Sequence, residues 1–146
     1  VKHHKGLLDT STVLRLYELK PEDLPAEVVI SAITLAELSV GPLVTTDEQE
    51  RAARLAQVQQ AESDYGLPLS FDAAAARAFA QVTADIRSAG SKSKACAFDA
   101  LIAAIAKASG LPIYTFNPDD FAAVKGIEVV VLPPASSEPN GHSCKT

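Results

Sequence analysis

Residues 7–16 read LLDTSTVLRL. Two leucines run into an aspartate, three hydroxyl residues follow, and the leucines then resume. Leu7 and Leu8 predict a short buried strand, and a helical pattern occupies 11–18. A strand that turns into a helix within three residues, with a carboxylate at the junction, is the opening of an α/β unit. The stretches EVVISA, LPLS, LPIYTF and IEVVVL read as further strands. Most are rich in Val, Ile and Leu rather than alternating, as parallel strands covered on both faces are. Helical patterns occupy 35–40, 47–63, 72–87 and 97–108. In the third of these Phe79, Val82 and Ile86 recur at helical spacing and mark a core-facing stripe. Gly110 and Pro112 punctuate the last. The alternation predicts an open α/β sheet with helices on both faces.

The 146 residues suffice for one domain with a real core. Residues 1–132 are expected to form it, and the Pro- and Ser-rich stretch 133–146 a disordered tail. A hydrophobic fraction of 47% and a charged fraction of 21% are those of an ordinary globular chain. No run approaches the roughly 20 apolar residues of a membrane helix, and no secretory h-region opens the chain, so no membrane partner and a cytoplasmic location are expected. The two cysteines, Cys96 and Cys144, are too few for a disulfide framework or a Cys-based zinc site. A net charge of -5 argues against sequence-blind nucleic-acid binding, though not against an enzyme that uses a local basic patch and a metal ion. The histidines, His3, His4 and His142, all lie near the termini, so no Ser–His or Cys–His constellation competes. No Walker or GxGxxG loop is present.

The acids carry the chemistry. In open α/β sheets ligands bind beyond the carboxyl ends of the strands. Asp9 directly follows its strand, Glu37 lies one helical turn past VVI, and Asp119 and Asp120 follow PIYTF. Asp99 lies near the start of the apolar, Ala-rich helix in FDALIAAIA. Each has a plain structural alternative. Asp9 can cap the following helix. Glu37 completes a capping box with Thr34 in TLAE. Asn117 can be the N-cap of a turn with Pro118 at its first position. An unpaired carboxylate in an apolar helix is costly, which makes Asp99 the hardest to explain structurally. Carboxylates without His or Cys ligands suit the hard cations Mg²⁺ or Mn²⁺, whose chemistry is phosphodiester hydrolysis.

LLDTSTVLRL, VVISAITLAELSVG, FDALIAAIA and GLPIYTFNPDDFAAVKGIEVV resemble, in order and spacing, the four landmarks of PIN-domain proteins. More narrowly they resemble the VapC-type toxin ribonucleases of bacterial toxin–antitoxin pairs. The resemblance spans 7–132 and implies an α/β/α sandwich around a central parallel sheet of four to five strands. It implies Mg²⁺- or Mn²⁺-dependent cleavage of RNA by a type II toxin, with Asp9, Glu37 and Asp99 as metal ligands and Asp120 as a further catalytic acid. Ser11, Thr115 and Asn117 would stand behind these and orient them. Many relatives carry Asp where this chain has Asn117, which leaves the fourth contact open between Asn117 and Asp120. Arg87, Lys92 and Lys94 form a basic stretch before Asp99 that can meet RNA phosphates, or can be a solvated loop. The implied partners are a cognate VapB-type antitoxin and a second copy of the chain, giving a homodimer and a toxin–antitoxin hetero-oligomer.

Two other classes compete. A catalytically weakened PIN-like binding module would explain the neutral Asn117, but not the retention of repelling acids. A phosphatase of the haloacid dehalogenase type also places Asp after its first strand, but its second Asp would fall where this chain has Ser11.

Overall fold

Leu7 and Leu8 lie in the strand β1 (Lys5–Leu8), and both are fully buried. Successive strand residues face opposite ways, so each leucine serves a different layer. The computed structural model describes residues 3–133. In it β1 is followed by α1 (Thr10–Leu14), β2 (Glu27–Ile30), α2 (Ala32–Val44), α3 (Glu48–Asp64), α4 (Ala73–Ala89), α5 (Ala97–Ser109), β3 (Ile113–Thr115) and β4 (Val129–Val131). The strands form one parallel sheet in the order β2-β1-β3-β4.

Leu7 pairs in register with Val29 and Ile113, and these three join Val82, Phe121 and the inner face of α5 in one core. Leu8 pairs with Ile30 and Tyr114, and these join Leu38 of α2 and Ala61 of α3 in the other. The result is the expected α/β/α sandwich. The stripe Phe79, Val82 and Ile86 packs on the first core as its spacing predicts. The small Ala100, Ala103, Ala104 and Ala106 of α5 are all buried, and α5 packs closely against α4. Gly6 is needed in β1 because a Cβ there would stand 2.5 Å from Tyr114 Cε1.

Several sequence readings are corrected. LPLS is no strand: Leu69 makes a single bridge to Ser31, accepting from Ala32 N and donating to Ile30 O. The predicted helix 11–18 divides into α1 and a 3-10 turn over Leu16–Glu18. The helix read at 35–40 runs from Ala32 to Val44, through Gly41 and Pro42. Arg51 and Arg54 of α3 make that end tolerable, donating to the carbonyls of Gly41, Pro42 and Thr45 that the helix leaves open. His3 is tied to the fold: it stacks edge-on against Tyr114 and pairs with Glu128. Beyond Pro133, the expected tail lies outside the described residues.

Candidate active site

Asp9 sits where β1 hands over to α1, 4% exposed. It is the N-cap of α1, its Oδ1 accepting from Thr12 N at 3.1 Å. The same oxygen accepts from Ser11 Oγ at 3.1 Å and Thr12 Oγ1 at 2.6 Å. Its Oδ2 accepts from Thr115 Oγ1 of β3 at 2.6 Å. Burial pushes the Asp9 carboxyl above the ordinary carboxylate range, outweighing the bonds from Thr115, Thr12 and Ser11 that pull it down. Capping and a functional role are therefore compatible: Oδ1 serves the helix, and Oδ2 faces β3.

Asp99 lies in the first turn of α5, 9% exposed, with its Oδ2 accepting from Cys96 N at 3.0 Å. Its carboxyl is pushed up to about 7. Burial is the main cause, opposed by the Cys96 N–H; the charges of Asp120, Asp9 and Glu37 add to the rise. Four acids from four separated segments thus share one electrostatic neighbourhood at the carboxyl edge of the sheet. Asp120, at the end of the 3-10 turn Pro118–Asp120, belongs to it, whereas Asp119 is exposed and does not act on Asp99.

The capping box of Thr34 and Glu37 is not formed. Ser31 caps α2, accepting from Thr34 N at 3.2 Å, and this places Glu37 in the second turn. Its Oε1 accepts from Thr10 Oγ1 of α1 at 2.6 Å. Thr10 Oγ1 in turn lies 3.0 Å from Thr34 Oγ1. The sequence reading named Ser11 and Thr115 as supports but missed Thr10, Thr12 and Thr34. The run of three hydroxyls after Asp9 was the available signal: Thr10 serves Glu37, while Ser11 and Thr12 serve Asp9.

Asn117 begins the 3-10 turn but makes no side-chain cap bond, contrary to expectation. Its N–H donates to Thr115 Oγ1 at 2.9 Å. Its Oδ1 is buried with no hydrogen-bond partner, an arrangement that commonly marks the place of a water or ion. Arg87 closes α4, and Lys92 and Lys94 lie on the connection to α5; all three are exposed.

Among the described residues no cluster of three or more His, Cys, Asp or Glu side chains is close enough to hold a metal ion directly. The donor chemistry nevertheless fits a hard divalent cation that keeps part of its hydration. Burial, reinforced by the neighbouring carboxylates, holds Asp99 toward its protonated form, and an orphaned amide oxygen, that of Asn117, lies two residues beyond Thr115. The acids line none of the apolar groove of about 170 Å³ between α1, α2 and α3, whose walls include Val13, Leu14, Leu38, Ala61 and Tyr65.

The chain and its fold have known relatives. The family model described as PIN domain matches residues 6–127. Ribonuclease VapC5 of Mycobacterium tuberculosis is 35% identical over 130 residues, covering 87% of this chain and 93% of the relative. Ribonuclease VapC4 of the same organism is 34% identical over 103 residues, covering 70% and 75%. Among solved structures, VapBC-5 of M. tuberculosis, a member of the VapBC family of toxin–antitoxin systems, superposes with a TM-score of 0.76 at 32% identity, covering 88% of this chain and 99% of that one. DNA-bound VapBC from Salmonella typhimurium gives 0.70 at 29% identity, covering 86% and 96%.

Proposed function

The chain belongs to the PIN-domain family, within its VapC group, and from that premise we propose that it is a metal-dependent endoribonuclease, the toxin of a type II toxin–antitoxin pair. The observation that carries the reading is that Asp120, Asp9 and Glu37, from three other segments, all act electrostatically on the buried Asp99 carboxyl at the start of α5. Asp9, Glu37 and Asp99 would hold the cation, Mg²⁺ or Mn²⁺, with Asp120 completing the acidic set. When bound, such an ion activates water and stabilises charge on the phosphate and leaving oxygen.

The chain's own residues do the rest. Ser11, Thr12 and Thr115 fix both Asp9 oxygens, so that acid needs no reorganisation when substrate arrives. Asn117 donates its N–H to the Thr115 hydroxyl, which supports it as the residue behind that clamp. A site carboxylate accepts the proton of the attacking water as the new P–O bond forms and the bond to the departing sugar oxygen breaks. Arg87, Lys92 and Lys94 meet the RNA phosphates flanking the cleavage point.

The solved relatives are toxin–antitoxin complexes, and this supports a VapB-type antitoxin as partner; the homodimer remains an implication of the family resemblance. Among the described residues no helix is long and apolar enough to cross a membrane, and an RNA substrate suits the cytoplasm. The retained acids speak against the binding-module alternative. The deciding experiment is cleavage of a panel of single-stranded RNAs by the purified chain with Mg²⁺ and with EDTA. Asp9→Asn and Asp99→Asn are run beside it. Cleavage that needs Mg²⁺ and disappears in both variants supports the proposal, and cleavage that persists in them overturns it.

A further inference from the structure

Glu37 is held differently from Asp9 and Asp99. Those two each accept a backbone N–H at the start of a helix, from Thr12 and Cys96. Glu37 stands in the second turn of α2, past the helix's own open N–H groups, on a side chain with three rotatable bonds. What meets its Oε1 is a hydroxyl from another element, that of Thr10, at 2.6 Å.

That hydroxyl is itself oriented. Thr10 and Thr34 are buried, 4% and 0% exposed, and their Oγ1 atoms lie 3.0 Å apart. A hydroxyl carries one hydrogen, and an ionised carboxylate can only accept. With the Thr10 hydrogen committed to Glu37, Thr34 must be the donor to Thr10. The direction is therefore Thr34 to Thr10 to Glu37. Thr34 lies three residues before Glu37 on the same helix, and its N–H is held by Ser31. The path leaves α2 at Thr34, passes through the first residue of α1 and returns to α2 at Glu37, so the strand-end turn that presents Asp9 also places Glu37.

We infer that this hydroxyl relay presets the Glu37 carboxylate for a divalent cation, with Thr10 as the positioning residue and Thr34 as the residue that orients it. The inference rests on the proposed function and deepens it. Partners of this kind, behind a ligand, typically alter metal affinity or activity by roughly 10- to 100-fold when removed.

The test is calorimetric titration of the full chain with Mn²⁺ in the absence of RNA, beside kcat and KM for RNA and melting curves in EDTA. Thr10→Val keeps the shape and removes the hydroxyl. It is expected to weaken Mn²⁺ binding roughly 10- to 100-fold and lower kcat, leaving KM unchanged. Thr10→Ser is expected to restore both. Thr34→Val weakens binding in the wild-type background but adds nothing to Thr10→Val, because the relay is already broken. It also carries the comparison should Thr10→Val fail to fold. Wild-type Mn²⁺ affinity and kcat in Thr10→Val, or failure of Thr10→Ser to restore them, overturns the relay while leaving the nuclease reading intact. A wild-type chain that neither takes up Mn²⁺ nor cleaves RNA overturns both.

Discussion

Thr115 Oγ1 donates to Asp9 Oδ2 at 2.6 Å, joining the carboxyl ends of two neighbouring strands across 106 residues of sequence. The bond makes one side chain of β3 part of the setting of an acid on β1. With the hydroxyls of Ser11 and Thr12 and the Thr12 N–H, it completes the set of donors that hold the buried Asp9 carboxyl.

Thr115→Val is expected to destabilise the protein by about 1–3 kcal/mol, because a buried acceptor loses its donor. The Asn117 N–H loses its acceptor in the same step. Thr115→Ser should recover most of the loss. Urea denaturation of the three proteins measures it, and a Val variant as stable as wild type would contradict the role given to this hydroxyl.

Metal-free stability should fall as pH rises from about 4 to about 7. The Asp99 carboxyl titrates near 7 in the folded chain against an ordinary value of 3.8. Below the lower value both states hold the proton. Between the two, only the folded state does, so raising pH favours unfolding. Above the higher value both are ionised, and the cost of a buried charge, with the repulsion added, is fully felt. Asp9 is shifted in the same direction and adds to the slope. Melting temperatures in EDTA across this range check the sign.

Asp99→Asn removes that ionisation. In EDTA at pH 8 it should melt above wild type and show a shallower pH dependence, since a neutral amide escapes the cost of burying a charge and the added repulsion of Asp120, Asp9 and Glu37. A variant that melts below wild type under these conditions would contradict the cost assigned to the ionised Asp99 carboxylate.

Gly6→Ala should cost about 1–3 kcal/mol through overpacking. Its Cβ would stand 2.5 Å from Tyr114 Cε1 and 3.1 Å from Pro25 Cγ. The same denaturation assay reads the effect, and a neutral result would show that the Tyr114 ring can shift.

Replacing Lys92 and Lys94 together by Ala should weaken RNA binding and flatten its dependence on salt, because fewer counterions are released. Binding measured at several salt concentrations tests this. An unchanged slope removes both lysines from the RNA path.

The parts of the fold that were legible are those that depend on neighbours in sequence. Leu7-Leu8 before Asp9 announced a strand feeding a helix, and the stripe of Phe79, Val82 and Ile86 announced a buried helix face. Asp99 stood out as a carboxylate in an apolar helix, and burial there pushes its carboxyl up to about 7. The errors came where local signals misled. The helical pattern covers only 35–40, yet α2 continues through Gly41 and Pro42 to Val44, where arginines of α3 meet its carbonyls. TLAE read as a capping box, yet Ser31 had already capped the helix.

From the sequence alone came the alternation of elements, the parallel class of the sheet and the identity of the acids, because apolar periodicity and residue chemistry are properties of short segments. Tertiary structure alone decided which hydroxyl serves which carboxylate. Thr10 turns away from its neighbour Asp9 to reach Glu37, and Asp9 takes its second clamp from Thr115. Those pairings depend on β1 lying between β2 and β3 in this register. A hydrogen bond reaches about 3 Å, so only the packed sheet determines which of the chain's distant groups come within it.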